Sequence, residues 1–104
     1  MKEGWVQVLT EEAWLLTYDI GDPRRLRQIE KIAKTYGVRL QRSVYLCAIR
    51  EENLKEMVAQ LRLRMDFLVD DVRIYHLPKG TTIGQNHPSR FPCGLTVSAA
   101  GLTL

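Results

Sequence analysis

The chain has 104 residues, 45% hydrophobic and 26% charged, with a formal net charge of +3. That length fits one domain with a single modest core, and chains of this size often finish burying apolar surface by oligomerising. No apolar run approaches the ~20 residues that span a bilayer, and no basic segment followed by an apolar one opens the chain. A membrane or secreted protein is therefore not expected, and the cytoplasm is the expected location.

Residues 1–12 show no clear hydrophobic period and read as an irregular N-terminal extension, in which Val6 and Val8 are the only hint of a short strand. From Ala13 to Ile20 the pattern is a strand. Trp14, Leu16, Tyr18 and Ile20 point one way; Leu15, Thr17 and Asp19 point the other. Asp22 followed by Pro23 is a helix start, because the carboxylate accepts an orphan backbone N–H and proline fits the first helical position. Leu26, Ile29, Ile32, Ala33 and Tyr36 form the expected buried stripe, and Gly37 the stop.

Val38 to Ile49 is β again, as one bent strand or two short ones, since no Gly, Asn or Pro marks a turn near Gln41, Arg42 and Ser43. A second helix follows with Leu54, Met57, Val58, Leu61 and Met65 on one stripe, then a strand from Val72 to Leu77. Thr81 to Gly84 suggests one more short strand, and residues 85–104 read as a loosely ordered tail. The predicted order over residues 13–84 is β, α, β or ββ, α, β, and a hairpin in the middle segment makes it βαββαβ. That is an α+β, ferredoxin-like sandwich, with an antiparallel sheet and two helices on one face. The other face is too apolar for water, so a homodimer packed through the sheets is expected.

Charge is segregated. Between Pro23 and Arg50 eight cations (Arg24, Arg25, Arg27, Lys31, Lys34, Arg39, Arg42, Arg50) face one anion, Glu30. That stretch is formally +7, which leaves −4 elsewhere. Such asymmetry suits a polyanion, and the preponderance of Arg suits phosphate, which the guanidinium fork meets with paired hydrogen bonds. Ser43 is placed where a hydroxyl can reach a phosphate. Asp19, at the end of a strand and followed by a basic helix, is the candidate ligand for a hard cation, since Mg²⁺ often uses one or two carboxylates plus substrate phosphate. Tyr18 and Tyr45 read as core or interface aromatics, and His76 as a half-buried structural residue beside Tyr75. His87 and Cys93 have no partner at zinc-ligand spacing, and Cys47 and Cys93 make no disulfide framework. No Gly-rich phosphate loop, Ser-His-Asp order or CxxC motif is present.

Four segments together resemble a known family. Tyr18-Asp19-Ile20, Arg24-Arg25-Leu26-Arg27, the run from Tyr36 to Tyr45 (YGVRLQRSVY) and Asp71-Val72-Arg73-Ile74-Tyr75 are similar to the motifs of the Cas2 family, small CRISPR-associated proteins of spacer acquisition. The similarity spans about Trp14 to Pro78. Departures are Leu40 for the usual valine, Tyr45 for phenylalanine, and Leu46 where a glutamate is common. The resemblance implies a ferredoxin-like homodimer whose strand near Thr81 to Gly84 crosses to the partner's sheet. Tyr18, Tyr45 and Tyr75 are then expected at the dimer interface. It also implies a metal-dependent endonuclease acting on RNA or DNA, with Asp19 as the metal-binding and catalytic aspartate and Mg²⁺ or Mn²⁺ as cofactor. It implies partnership with the Cas1 integrase, the dimer bridging integrase subunits beneath captured DNA. Arg24, Arg25, Arg27, Lys31, Arg39, Arg42 and Ser43 would then contact nucleic-acid backbone. An mRNA-cleaving toxin of related fold is the alternative reading.

Overall fold

A computed structural model describes residues 5–85, 95–99 and 102–103. Strand β1 (Trp5–Val8) precedes β2 (Ala13–Asp19), helix α1 (Pro23–Tyr36), β3 (Val38–Gln41), β4 (Val44–Cys47), α2 (Glu51–Arg64), β5 (Asp71–Leu77), β6 (Thr82–Gln85), β7 (Leu95–Ala99) and β8 (Leu102–Thr103). One antiparallel sheet has the order β3-β4-β2-β5 and a second the order β1-β6-β7-β8. The first sheet with its two helices is the ferredoxin-like βαββαβ unit, with the middle segment folded as a hairpin.

The helices form where the sequence places their signals. Asp22 caps α1 by accepting the Arg25 backbone N–H at 2.9 Å, with Pro23 in the first turn. Helix α2 has no side-chain cap but carries Glu51 and Glu52 at its start and Arg62 and Arg64 at its end, which complements the helix dipole. Tyr36 ties the helices together: its hydroxyl donates to Glu56 and accepts from Gln60, both at 2.8 Å.

Residues 38–49 are two strands, not one. The reversal is made by Arg42 and Ser43, with Ser43 in the left-handed region at φ 66°. A register shift between Arg39 and Gln41 adds to the bend. Serine is an infrequent left-handed residue, which is why no turn was legible there.

Two cores result, one on each face of the first sheet. Under the helices, Leu16, Tyr18, Ile20, Ile29, Ile32, Ala33, Tyr45, Cys47, Met57 and Leu61 pack together. On the opposite face Ala13, Leu15, Val44 and Leu77 pack with Leu9 and Ile83. The face expected to need a second copy is thus covered in part by the chain itself, through β6 and the segment after β1. The Leu9 N–H donates to the Thr81 carbonyl at 2.8 Å and the Gly80 N–H to the Leu9 carbonyl at 2.9 Å. The N-terminal segment expected to be irregular contains a strand, β1. Thr81 to Gly84, expected to cross to a partner's sheet, lies against its own β1 and β7 on its two edges. The tail carries β7 and β8, while His87 and Cys93 lie outside the described residues. Among the described residues no helix is long and apolar enough to cross a membrane.

Candidate nucleic-acid interface and acidic strand end

Antiparallel register brings three connections to one end of the first sheet: the β2–α1 loop, the β3–β4 turn and the α2–β5 loop. The Tyr18 N–H donates to the Ser43 carbonyl at 3.1 Å, and Asp19 lies directly opposite Asp71. Asp19 is exposed on the face away from the helices, with Leu15 and Thr17.

Asp71, which sequence reasoning placed only inside a motif, supplies a second carboxylate. Directly opposed residues on neighbouring strands have Cβ atoms about 5 Å apart, and like charges there repel. Asp71 offsets this with Arg73, whose Nε and Nη2 donate to its two oxygens at 3.0 and 3.2 Å. Among the described residues no cluster of three or more His, Cys, Asp or Glu forms. With both Asp71 oxygens engaged by Arg73, the free donor is the exposed Asp19 carboxylate, which fits a hard cation that keeps waters and substrate phosphate as its remaining ligands. Mg²⁺ or Mn²⁺ would be held by Asp19 with Asp71 beside it.

The predicted cations divide. Arg24, Arg27, Lys31, Arg39 and Arg42 are exposed and have no carboxylate within ion-pair reach among the described residues. Arg25 is different. Its Nε and Nη2 donate to Asp70 at 2.8 and 3.1 Å, and the Asp70 side chain is fully buried. The fork expected to hold phosphate already holds a carboxylate, so Arg25 fixes the α2–β5 loop to the start of α1. The Arg25 guanidinium in turn keeps the Asp70 carboxyl below the ordinary carboxylate range, helped by the Asp66 backbone N–H. Ser43 contributes its backbone to the turn, and its side chain is half-buried.

The acid and the cations share an end of the sheet but not a face. Arg39 pairs with Tyr45 and so belongs to the helix side, as α1 does, while Asp19 and Asp71 belong to the other side. Tyr18 and Tyr45, expected at a dimer interface, are core residues beneath the helices, 5% and 0% exposed, with rings stacked at 6.1 Å. Odd and even positions of β2 alternate between faces, and even-numbered Tyr18 goes with Leu16. Burial pushes the Tyr18 hydroxyl above its ordinary pKa. Tyr75 does lie on the open face, packed against Leu77 and its neighbours.

Comparison with known proteins agrees with this architecture. The family described as CRISPR associated protein Cas2 matches residues 13–82. A protein named CRISPR-associated endoribonuclease Cas2 2, from Thermodesulfovibrio yellowstonii, is 37% identical over 70 residues, covering 67% of this chain and 77% of that one. A Halalkalibacterium halodurans protein named CRISPR-associated endonuclease Cas2 is 35% identical over 68 residues, or 61% and 71% of the two chains. Among solved structures, Streptococcus pyogenes Cas2 superposes with a TM-score of 0.57 at 31% identity, covering 61% of this chain and 82% of that one. A hypothetical protein of Thermus thermophilus shares the fold over 90% of this chain and 95% of its own, with a TM-score of 0.64 and 24% identity. Strands β1, β7 and β8 lie outside the family match, and the unit that carries Asp19, Asp71 and the exposed arginines lies within it: the chain belongs to the Cas2 family of CRISPR-associated proteins.

Proposed function

We propose that this protein acts in the adaptation stage of CRISPR defence, as a homodimer that holds nucleic-acid backbone and bridges Cas1 integrase subunits. The observation that carries the reading is the set of exposed cations, Arg24, Arg27, Lys31 and Arg39 on the helix side of the sheet and Arg42 in the β3–β4 turn, without carboxylate partners among the described residues. Such a surface contacts phosphates without reading bases, so binding is tolerant of sequence and weakens steeply with salt as counterions are released. The test is affinity for random duplex across a tenfold rise in salt. A flat response sinks the scaffold reading.

A second activity rests on the opposed pair Asp19 and Asp71. Phosphodiester cleavage of RNA or DNA, in keeping with the names of the relatives, would use Asp19 as the metal-binding carboxylate. Mg²⁺ or Mn²⁺, when bound, activates water and neutralises charge developing on the phosphate. The chain's own part is to hold the Asp19 carboxylate exposed at the strand end. Asp71 and Arg73 flank it and keep the local charge from becoming purely negative. Two protomers meeting at this end of the open face bring two copies of Asp19 together. Asp19→Asn is expected to abolish cutting while dimerisation and duplex binding persist. Cutting that survives this change or a chelator removes the nuclease reading and leaves the scaffold reading intact.

A further inference from the structure

Helices α1 and α2 turn similar short patterns toward the groove between them. On α1 the lining residues are Gln28, Lys31 and Ile32; on α2 they are Gln60, Leu63 and Arg64. Each set is spaced i, i+3, i+4, which keeps its three side chains on one helical face. The helices run in opposite directions, since each returns along the sheet from the end of β2 or β4, and those strands are antiparallel. Tyr36 sets their level, its hydroxyl meeting Glu56 and Gln60. Counting back along α1 and onward along α2 from that contact brings Lys31 opposite Leu63 and Arg64.

The groove has a volume of about 450 Å³, within the range of about 300–1,000 Å³ that small organic ligands occupy. Its lining divides by chemistry. Lys31 and Arg64 are exposed, and neither forms an ion pair among the described residues. No carboxylate lines the groove, and Glu30 and Glu56 on the same helices are taken up by Lys34 and by the Tyr36 hydroxyl. Gln60 donates to Tyr36, which fixes its amide and leaves the amide oxygen to accept, while Gln28 is exposed. Ile32 is buried at the floor, and Leu63 is 80% exposed at the rim.

A pair of cations, two amides and an apolar surface match the three parts of a nucleotide: phosphate, base edge and base face. In a duplex the base faces are stacked and the pairing edges are taken. Only an unpaired base has a face to lay on Leu63. We propose that the α1–α2 groove holds one unpaired nucleotide of a nucleic-acid strand. Its phosphate lies between Lys31 and Arg64, and its base rests on Leu63 and Ile32 within reach of Gln28 and Gln60. Arg24, Arg27 and Lys31 recur at i, i+3 and i+7 on α1, so a backbone followed along that stripe leads into the groove. The inference rests on the reading that these cations hold nucleic-acid backbone.

The experiment measures, by anisotropy on the full chain, affinity for a blunt duplex and for the same duplex with short unpaired ends. Wild type, Leu63→Ser and Arg64→Gln are compared, both changes falling at exposed positions that leave the core untouched. Wild type is expected to favour the unpaired ends about tenfold, the contribution of one base laid on a side-chain surface. Leu63→Ser removes that preference and keeps wild-type affinity for the blunt duplex. Arg64→Gln lowers the slope of log affinity against log salt by about 0.7 for the unpaired ends, the value for one single-strand phosphate, and leaves the blunt-duplex slope alone. Equal wild-type affinity for the two duplexes overturns the proposal. So does a preference that Leu63→Ser retains or that abasic ends reproduce in full, and so does an unchanged slope in Arg64→Gln. Loss of blunt-duplex affinity in Leu63→Ser would assign the side chain to the backbone surface, and loss of self-association in sedimentation would assign it to a second copy; either outcome overturns the nucleotide site. Adenosine monophosphate that binds wild type as tightly as the unpaired ends do would assign the groove to a free nucleotide and overturn the strand. Wild type that binds neither duplex overturns the backbone reading itself, and the groove site with it.

Discussion

Arginine 25 and arginine 24 are neighbours with opposite employment. Arg24 is exposed and unpaired among the described residues, whereas Arg25 is forked onto the buried Asp70. Arg24→Ala is expected to lower the slope of log affinity against log salt by about one, the signature of one lost phosphate contact. Its unfolding midpoint should not move. Arg25→Ala should do the reverse, leaving the slope alone and lowering the midpoint, because it strands a buried carboxylate. The pH dependence has a definite sign. Asp70 titrates lower in the folded chain than in the unfolded one, chiefly because Arg25 hydrogen-bonds its ionised form. Its contribution is thus complete above the unfolded carboxylate value of about 3.9 and is lost as pH falls through the lower folded value. Urea titrations near pH 3 and pH 6 should show Arg25→Ala closing on wild type at the acid end. A constant gap would assign the effect to packing. Sequence could identify the arginines as a group but not this division, since Asp70 lies 45 residues away and only the fold sets it against α1. Asp71 was hidden for the same reason: cross-strand register is a tertiary fact.

At the scale of elements, the helices were the most legible because their signals are local: a capping Asp22, Pro23, and apolar residues at helical spacing. The β3–β4 reversal was the least legible, because Ser43 takes a left-handed φ without glycine's freedom. Gly37 shows a subtler constraint at the α1–β3 junction. Its backbone is extended, so the residue is not there for a special φ. A Cβ at this point would sit 2.7 Å from the Cys47 Sγ and 2.8 Å from the Leu46 carbonyl oxygen. The carbonyl is committed to the sheet and cannot swing aside. Gly37→Ala is expected to cost about 1–3 kcal/mol as an overpacking change, read from urea midpoints at constant m. A variant as stable as wild type would show that β4 can retreat. The Cys47 thiol beneath this junction is pushed up to about 11 by burial, and alkylation at neutral pH should therefore be slow in the folded chain.

For the molecule as a whole, hydrophobic alternation on β2 announced that both faces of the sheet must be covered, and both largely are. What the alternation could not say is by what. The face away from the helices is divided along its length. Leu9 and Ile83 cover the end where Ala13 opposes Leu77, while Asp19 and Asp71 lie six positions along at the other end. At about 3.4 Å per residue the two ends are roughly 20 Å apart. A second copy stacking on this face would therefore meet the Asp19 end, which is where a shared cation site needs it. Removing residues 1–9 deletes β1 and Leu9 together, freeing one edge of β6 and uncovering Leu15 and Leu77. Unpaired strand edges and bare apolar faces recruit other chains. The truncated protein is expected to unfold at a lower temperature and to self-associate at lower concentration than the full chain in sedimentation equilibrium. Unchanged stability and an unchanged association constant would mean that β1 and Leu9 do not guard this face, and that the limit on how two protomers meet lies elsewhere in the second sheet.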